Sequence, residues 1–145
     1  MITKMKVLVN RMDKSVPLPY YSREGDVGLD LCSAENIILR RGEKHAVATG
    51  LKMAIPLGYA GLIWDRSGLA FRNSIKTMGG VIDPTYRGEI KVILFNHGNE
   101  DFVIEKGMRV AQMLIKKIEI AELEEVDFLD ETIRNESGFG SSGLK

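Results

Sequence analysis

Short apolar segments separated by turn residues constrain the fold of this chain more than any other feature of its sequence. They recur about every 8 to 12 residues, a spacing typical of a β-sandwich or barrel. The segments are residues 6–10, 27–34, 37–39, 45–48, 51–55, 59–64, 90–95, 102–104 and 110–115. The chain also has 15 glycines and only 7% aromatic residues, which suits a turn-rich architecture better than a helix bundle. The sequence therefore predicts an all-β domain.

One stretch interrupts this pattern. Residues 66–73 predict a single short helix with Ser67 near its N-terminus. Arg66 offers a forked cation, Ser67 a hydroxyl and Gly68 a close approach of the backbone, a combination suited to phosphate oxygens. A serine-glycine pair that only begins a helix is the alternative interpretation, and both remain open from this stretch alone.

Length and charge narrow the class of protein. The 145 residues fit one domain, and 20 basic residues balance 20 acidic ones. There is consequently no overall field for nucleic acid or an acidic membrane, and an anionic ligand must be held by local groups. The single cysteine, Cys32, has no internal disulfide partner. With no leader and no apolar run near about 18 residues, we expect a soluble cytoplasmic protein without membrane or nucleic-acid partners.

The C-terminal residues cannot bury themselves. Residues 121–131 are acidic, and residues 134–145 have only Phe139 and Leu144 as large apolar groups. We predict a β domain over residues 1–133 and a mobile arm over 134–145. A flexible Gly/Ser tail is the simpler interpretation, but it does not account for Arg134 or for a phenylalanine between two glycines.

The stretch at residues 79–90 joins two glycines, a carboxylate and a proline turn. Asp83 precedes Pro84 and should be extended, while Pro84 suits the first corner of a tight turn and Gly88 its exit. A hairpin with a polar tip and a functional turn are both consistent with this pattern.

Two other polar side chains lie inside apolar strands. Asp30 stands between two leucines, where a carboxylate is costly unless it is paired or the strand face is open to water. The amide of Gln112 must find a partner, either within the protein or in a ligand. His45 and His97 lack the spacing of a zinc site, and no nucleophile elbow supports Ser-His-Asp catalysis.

Five stretches together resemble the five ordered motifs of the trimeric dUTP pyrophosphatase (dUTPase) family. They are residues 27–34, 66–70, 80–90, 106–113 and 134–143. One such motif is a weak signal, whereas five in order are specific. The resemblance implies a jelly-roll-like barrel or sandwich and a homotrimer, with active sites at subunit boundaries and the C-terminal arm closing a neighbour's site.

The resemblance also assigns roles to residues. Asp83 would be the general base that activates water for attack on the α-phosphorus of dUTP, and Tyr86 would pack against deoxyribose and exclude a 2′-hydroxyl. Asp30 would be a supporting partner of an arginine in the Arg66 stretch. Uracil would be read by Gly80, Val81, Ile82 and main chain near Lys91; the phosphates would be held by Arg66, Ser67, Gly68 and Gln112; the arm would close through Arg134, Phe139, Gly140 and Ser141.

Magnesium would bridge the three phosphates through oxygens and waters, without a direct protein ligand. The implied reaction converts dUTP to dUMP and pyrophosphate, which keeps uracil out of DNA and supplies dUMP for dTMP synthesis. Two alternatives are a dCTP deaminase of the same fold and a non-catalytic nucleotide-binding module. The sequence departs from the family pattern at Met108 (commonly aspartate), at Ser137 and Ser142, and at Trp64-Asp65, where a proline commonly precedes the arginine.

Overall fold

A computed structural model describes residues 3–145 of the chain. Within this range the chain forms eleven strands and one helix, so the predicted all-β class is confirmed. In chain order the elements are β1 (Leu8–Arg11), β2 (Leu29–Cys32), β3 (Ile37–Leu39), β4 (Lys44–Ala48), β5 (Leu51–Ala54), β6 (Tyr59–Trp64), α1 (Ser67–Asn73), β7 (Ile75–Met78), β8 (Val81–Ile82), β9 (Lys91–Asn96), β10 (Phe102–Ile104) and β11 (Arg109–Lys117). No helix in the described range is long and apolar enough to span a membrane.

The strands form four small sheets. A four-stranded sheet has the order β2-β11-β6-β8 and a three-stranded sheet the order β4-β9-β7, while β1 pairs with β5 and β3 with β10. All of these pairings are antiparallel. In the described part of the chain no sheet closes on itself, so the architecture is the sandwich form of the prediction and not a closed barrel.

The core lies between the sheets and follows the alternation of the strands. In β9, Val92, Leu94 and Asn96 point inward and are buried, and the residues between them are more exposed. The amide of buried Asn96 donates to the carbonyls of Leu39 and Glu100, both at 2.9 Å. Its side-chain oxygen accepts from Gly98 N–H at 2.8 Å, so this polar group is satisfied and joins the end of β9 to two neighbouring segments.

The helix forms where the sequence predicted it. Arg66 is its N-cap, in an extended conformation and without a side-chain capping bond, and Ser67 is the first helical residue. Leu69 is buried and docks the helix on the core. The helix ends at Ser74, whose φ of 53° is left-handed, and this reversal leads directly into β7.

Two expectations about the middle of the chain were wrong. Strand β7 was not predicted, although its residues alternate between buried and exposed, because four residues directly after a helix give a weak pattern. The hairpin interpretation of residues 79–90 also fails. Strand β8 pairs with β6, whereas β9 pairs with β4 and β7, so the stretch is a connection between two sheets.

Regular structure ends with β11 at Lys117. Residues 118–145 contain no strand or helix, and nearly all of them are exposed. Large apolar side chains are among these exposed residues: Ile120, Leu123, Phe128, Leu129, Ile133 and Phe139. The division of the chain into a domain over 1–133 and a mobile arm over 134–145 remains a prediction.

Candidate active site

A cavity of about 450 Å³ lies at one end of the four-stranded sheet. We call it the arginine pocket, because three arginines contribute to its wall. It is lined by Ser22, Arg23, Asp26, Val27, Gly28, Asp30, Arg66, Ser67, Gly68, Arg109 and Gln112. Five of these were predicted site residues: Asp30, Arg66, Ser67, Gly68 and Gln112.

Asp30 is a buried carboxylate in the wall of this pocket and is paired with two of its arginines. It is only 8% exposed, and its carboxylate lies 3.5 Å from Arg66 Nε and 3.4 Å from Arg109 Nη1. Ser22 Oγ donates to the same carboxylate at 2.5 Å. Asp30 thus has a partner in the Arg66 stretch, and the alternative of a solvated strand face is wrong. Two guanidinium groups are thereby fixed by one buried anion. The role of Asp30 in a site stays a prediction.

A β-bulge brings Arg109 and Gln112 to the same pocket. Residues three apart on a regular strand point to opposite faces. In β11, however, Arg109 pairs with Cys32 and Ala111 pairs with Leu31, so Val110 is an extra residue. The shift turns both polar side chains toward the cavity. The sequence carried no signal for this bulge, although Arg109 lies within the motif at residues 106–113.

The Gln112 side chain donates a hydrogen bond on one side and lies close to a glycine on the other. Its Nε2 donates to the Asp65 carbonyl at 2.8 Å, which meets the expectation of a structural hydrogen bond. On the other side its amide oxygen faces Gly28, where an added Cβ would overlap it. A larger residue at position 28 would therefore displace the Gln112 amide from its present position in the wall of the pocket.

Two groups beside the arginine pocket have shifted pKa values. Burial raises the pKa of the Cys32 thiol, and neighbouring Asp30 adds to this effect. Partial burial also raises the pKa of Asp65, but hydrogen bonds from Lys76 and Thr77 outweigh it, so the pKa lies below its ordinary value of 3.8. At neutral pH Cys32 is consequently a thiol and Asp65 a carboxylate.

A second cavity, of about 340 Å³, surrounds the turn between β8 and β9. We call it the Asp83 pocket. It is lined by Ala46, Val81, Ile82, Asp83, Tyr86, Glu89, Lys91 and Ile93. Five of these are predicted site residues. Asp83 itself is exposed, so its carboxylate is open to water and to a ligand.

The Asp83 turn is held rigid by its own residues. Tyr86 N–H donates to the Asp83 carbonyl at 3.1 Å, which closes a tight turn with Pro84 at its first corner, as predicted. Arg87 Nη1 donates to the carbonyls of Pro84 at 2.6 Å and Tyr86 at 3.0 Å. Arg87 thus stabilises the turn through its backbone carbonyls. The Asp83 side chain extends from a backbone that these hydrogen bonds hold in place.

Tyr86 is fixed in the wall of this pocket. Its hydroxyl donates to the Glu89 carbonyl at 2.8 Å, and an added Cβ on Gly88 would overlap its ring. A larger residue at position 88 would displace the Tyr86 ring from this position, and Gly88 itself is not left-handed, since its φ is not among the positive ones. The Glu89 carboxylate in turn accepts from Gly50 N–H at 3.1 Å, which anchors the end of the turn to the β4–β5 loop.

Gly80 approaches β6 more closely than a larger residue could. Its φ is 98°, its carbonyl accepts from Ile63 N–H at 2.8 Å, and a Cβ would lie 2.9 Å from the Ile63 carbonyl oxygen. Gly80 and Val81 line a third cavity of about 240 Å³ on the adjacent surface. Val81 belongs to both this cavity and the Asp83 pocket, so the two are contiguous.

The predicted site residues thus fall into separate groups. The arginine pocket and the Asp83 pocket share no lining residue. The arm residues Arg134, Phe139, Gly140 and Ser141 line neither pocket, and Arg134 Nε donates to the Ser137 carbonyl of its own segment at 2.7 Å. Sequence reasoning did not predict some of the lining residues as site residues. Among them are Ser22, Arg23, Asp26, Gly28, Arg109 and Glu89.

Comparison with known proteins gives these pockets a family context. The dUTPase family model matches residues 14–143. The deoxyuridine 5′-triphosphate nucleotidohydrolase of Clostridium kluyveri is 47% identical over 141 residues, covering 96% of this chain and 99% of that protein. The enzyme of the same name from Corynebacterium glutamicum is 44% identical over 140 residues, covering 94% of each. A structure of a Staphylococcus bacteriophage 80alpha dUTPase variant with dUpNHpp superposes with a TM-score of 0.90 at 28% identity, covering 97% of this chain and all of that one.

The similar solved structure identifies the fold class of this chain, and the family model and the relatives identify its family. The fold is that of the jelly-roll-like all-β proteins, as the resemblance implied. Within that class the chain belongs to the dUTPase family. The interpretation drawn from five short motifs is therefore confirmed.

Proposed function

We propose that this chain hydrolyses dUTP to dUMP and pyrophosphate, with Asp83 activating the water that attacks the α-phosphorus. Membership of the dUTPase family, whose curated relatives carry the name of that reaction, makes the chain a dUTP diphosphatase. The observation that supports the mechanism is the exposed Asp83 carboxylate on a rigid turn, beside a pocket large enough for a nucleoside. A carboxylate held this way is oriented before the substrate arrives.

The Asp83 pocket suits the nucleoside part of dUTP. Val81, Ile82 and Ile93 give it apolar surface, and Gly80 brings backbone polar groups close to the cavity edge. In our proposal Gly80, Val81, Ile82 and main chain near Lys91 read the uracil edge, so that cytosine leaves buried groups unpaired. Tyr86, locked by the Glu89 carbonyl, packs against deoxyribose and leaves no room for a 2′-hydroxyl.

The arginine pocket suits the triphosphate. Arg66 supplies a guanidinium whose direction is fixed by Asp30, and Gln112 supplies an amide fixed by Asp65. We assign Arg66, Ser67, Gly68 and Gln112 to phosphate oxygens, where fixed donors stabilise the charge that develops in the transition state. Asp30 does not touch the substrate in this assignment and acts by orienting Arg66.

In our proposal a complete site needs both pockets, which share no lining residue in one copy of the chain. We infer a homotrimer in which the Asp83 pocket of one copy meets the arginine pocket of another, with dUTP spanning the boundary.

The exposed C-terminal arm of a copy also contributes residues to this shared site. Arg134 and the Phe139-Gly140-Ser141 turn close over the ligand, with Phe139 stacking on uracil. The full exposure of Phe139 and of the apolar residues before it supports this role, since such groups gain most from burial elsewhere.

In our proposal magnesium would bind to this site together with the substrate. Among residues 3–145 no group of three or more His, Cys, Asp or Glu could hold a metal, and Asp30 is already paired with two arginines. In our proposal the ion would be bound by phosphate oxygens and waters, because Mg²⁺ prefers oxygen ligands and keeps several waters. When bound it would neutralise phosphate charge, while Arg66 and Gln112 orient the same phosphates.

In the cell we expect the reaction to take place in the cytoplasm, where it removes dUTP before it enters DNA and supplies dUMP for dTMP synthesis. Nucleic acid itself is not expected as a partner, since the chain carries no net charge.

Pyrophosphate release from dUTP, dTTP, dCTP and UTP tests the assignment. We expect release from dUTP in the presence of Mg²⁺, with the other three nucleotides at least about a hundredfold slower in kcat/KM. Ammonia release from dCTP would instead identify a deaminase. Tight binding of dUTP without any turnover would identify a binding module.

A further inference from the structure

Asp65 lies between β6 and α1, directly before Arg66, and its carboxylate connects this segment to strand β7. Its Oδ1 accepts from Thr77 N–H at 2.6 Å and from Thr77 Oγ1 at 2.7 Å, and its Oδ2 accepts from Lys76 Nζ at 2.8 Å. Its backbone carbonyl accepts from Gln112 at 2.8 Å. We propose that Asp65 is a positioning residue that sets the phosphate-binding geometry of Arg66, Ser67 and Gln112, an inference that rests on the proposed function.

The local backbone explains why such a positioning residue is needed. Asp65 and Arg66 lie between the end of β6 and the start of α1, outside the strand ladder. The helix has no side-chain bond at its N-cap, and its backbone holds Arg66 only through the carbonyl, which accepts from Ala70 N–H at 3.0 Å. Strand β7, in contrast, is paired with β9 along all four of its residues. The Asp65 carboxylate therefore ties the segment between β6 and α1 to a strand that is paired along its whole length.

Two consequences for the pocket follow from these bonds. Fixing the Asp65 side chain fixes the peptide that leads into Arg66 and Ser67. Fixing the Asp65 carbonyl fixes the amide of Gln112, because that carbonyl is the acceptor of its N–H. One residue thus orients phosphate-binding groups at the start of α1 and on β11 without touching the substrate.

The hydrogen bonds of Asp65 also explain how this chain departs from the family pattern before Arg66. The family commonly has a proline before the arginine, and a proline ring restricts φ covalently. This chain has Asp65 instead, and its three side-chain bonds to Lys76 and Thr77 replace that restriction. The Lys76 and Thr77 hydrogen bonds keep the group ionised, as a charge-assisted acceptor requires.

Binding of two ligands to Asp65→Ala tests the proposal. The first ligand is the non-hydrolysable triphosphate dUpNHpp with Mg²⁺, and the second is deoxyuridine, which lacks phosphates. We expect dUpNHpp to bind about tenfold more weakly than to the parent, with deoxyuridine unchanged, because only the phosphate groups have lost their alignment. In turnover, kcat/KM for dUTP should fall by a similar factor.

Three further variants separate positioning from general stability. Asp65→Asn keeps an oxygen that accepts from Thr77, and Asp65→Pro restores the family residue, so both should bind dUpNHpp within about threefold of the parent. Thr77→Val removes one donor at nearly constant volume and should weaken dUpNHpp binding by about threefold if Asp65→Ala proves too unstable to assay. Glu35→Ala is the matched control, because Glu35 also bonds a basic side chain and a backbone N–H, but lies outside both pockets.

Unchanged dUpNHpp affinity in Asp65→Ala and Thr77→Val would overturn the proposal. So would an equal weakening of both ligands, or a loss in Glu35→Ala as large as that in Asp65→Ala, since either would indicate a general effect on folding. Failure of the parent chain to bind dUpNHpp is a different result, and would overturn the proposed function itself.

Discussion

The arginine pocket keeps its central carboxylate, Asp30, buried and paired with two arginines, whereas the Asp83 pocket leaves its carboxylate exposed at the tip of a turn. The same side chain therefore has opposite roles in the two places. Asp30 is held by other groups and in turn holds Arg66, while Asp83 is fixed only through its backbone and keeps both oxygens available. The first arrangement suits a supporting anion, and the second suits a group that must contact water and substrate.

In the proposed function neither pocket is sufficient alone. The arginine pocket would hold the phosphates, and the Asp83 pocket would supply the general base and the nucleoside-binding wall. Four of the five predictions below test this division and the arm that would complete it, and the remaining one concerns a carboxylate outside both pockets.

Deleting residues 134–145 should have the largest effect. If the two pockets need the arm to close over dUTP, turnover is abolished, while the melting temperature hardly changes because these residues are almost all exposed. Steady-state kinetics and thermal denaturation of the truncated chain check both parts. A large drop in melting temperature would instead make the arm part of the core.

Asp83→Asn should lower turnover of dUTP by about a thousandfold, because the amide cannot accept a proton from water. Binding of dUpNHpp and the melting temperature should stay close to those of the parent, since the Asp83 side chain is exposed and its backbone turn is retained. Turnover equal to that of the parent would show that Asp83 is not the base.

Asp30→Asn makes the same chemical change in the arginine pocket and should act mainly on stability. Arg66 and Arg109 would lose their common anion, which we expect to cost about 2 kcal/mol in the free energy of unfolding, allowing for the partial exposure of both arginines. Urea denaturation measures this loss. Equal stability of the Asp30→Asn and Asp83→Asn variants would contradict the contrast drawn between the two carboxylates.

The smallest effect concerns a carboxylate outside both pockets. Hydrogen bonds from Lys106 and Ser15 lower the pKa of Asp13 from 3.8 to about 2. Since the folded pKa is the lower one, the stabilisation is complete above pH 3.8 and is lost as the pH falls toward 2. The difference in melting temperature between the parent and Asp13→Asn should therefore be constant at neutral pH and shrink over that acidic range. A gap that widened in acid would reverse the sign of this linkage.

Sequence reasoning predicted the strand pattern, the helix and the need of Asp30 for a partner, because each depends on neighbouring residues alone. It did not predict β7, nor that residues 79–90 connect two sheets, because strand pairing depends on which distant segments compete for an edge. The bulge at Val110 and the participation of Ser22 in the Asp30 network likewise depend on tertiary register. The close approach of Gly88 to the Tyr86 ring is a further feature that the turn pattern does not contain.

Mixing two inactive variants tests the division of the site most directly. Asp83→Asn lacks the base and Arg66→Ala lacks the phosphate-binding guanidinium, so each alone should turn over dUTP far more slowly than the parent. If the pockets of different copies form one site, co-refolding equal amounts should give about a quarter of the sites both intact halves, and about a quarter of the parental activity should return. No recovery in demonstrably mixed oligomers would mean that both halves come from the same copy, and the shared-site account would be wrong.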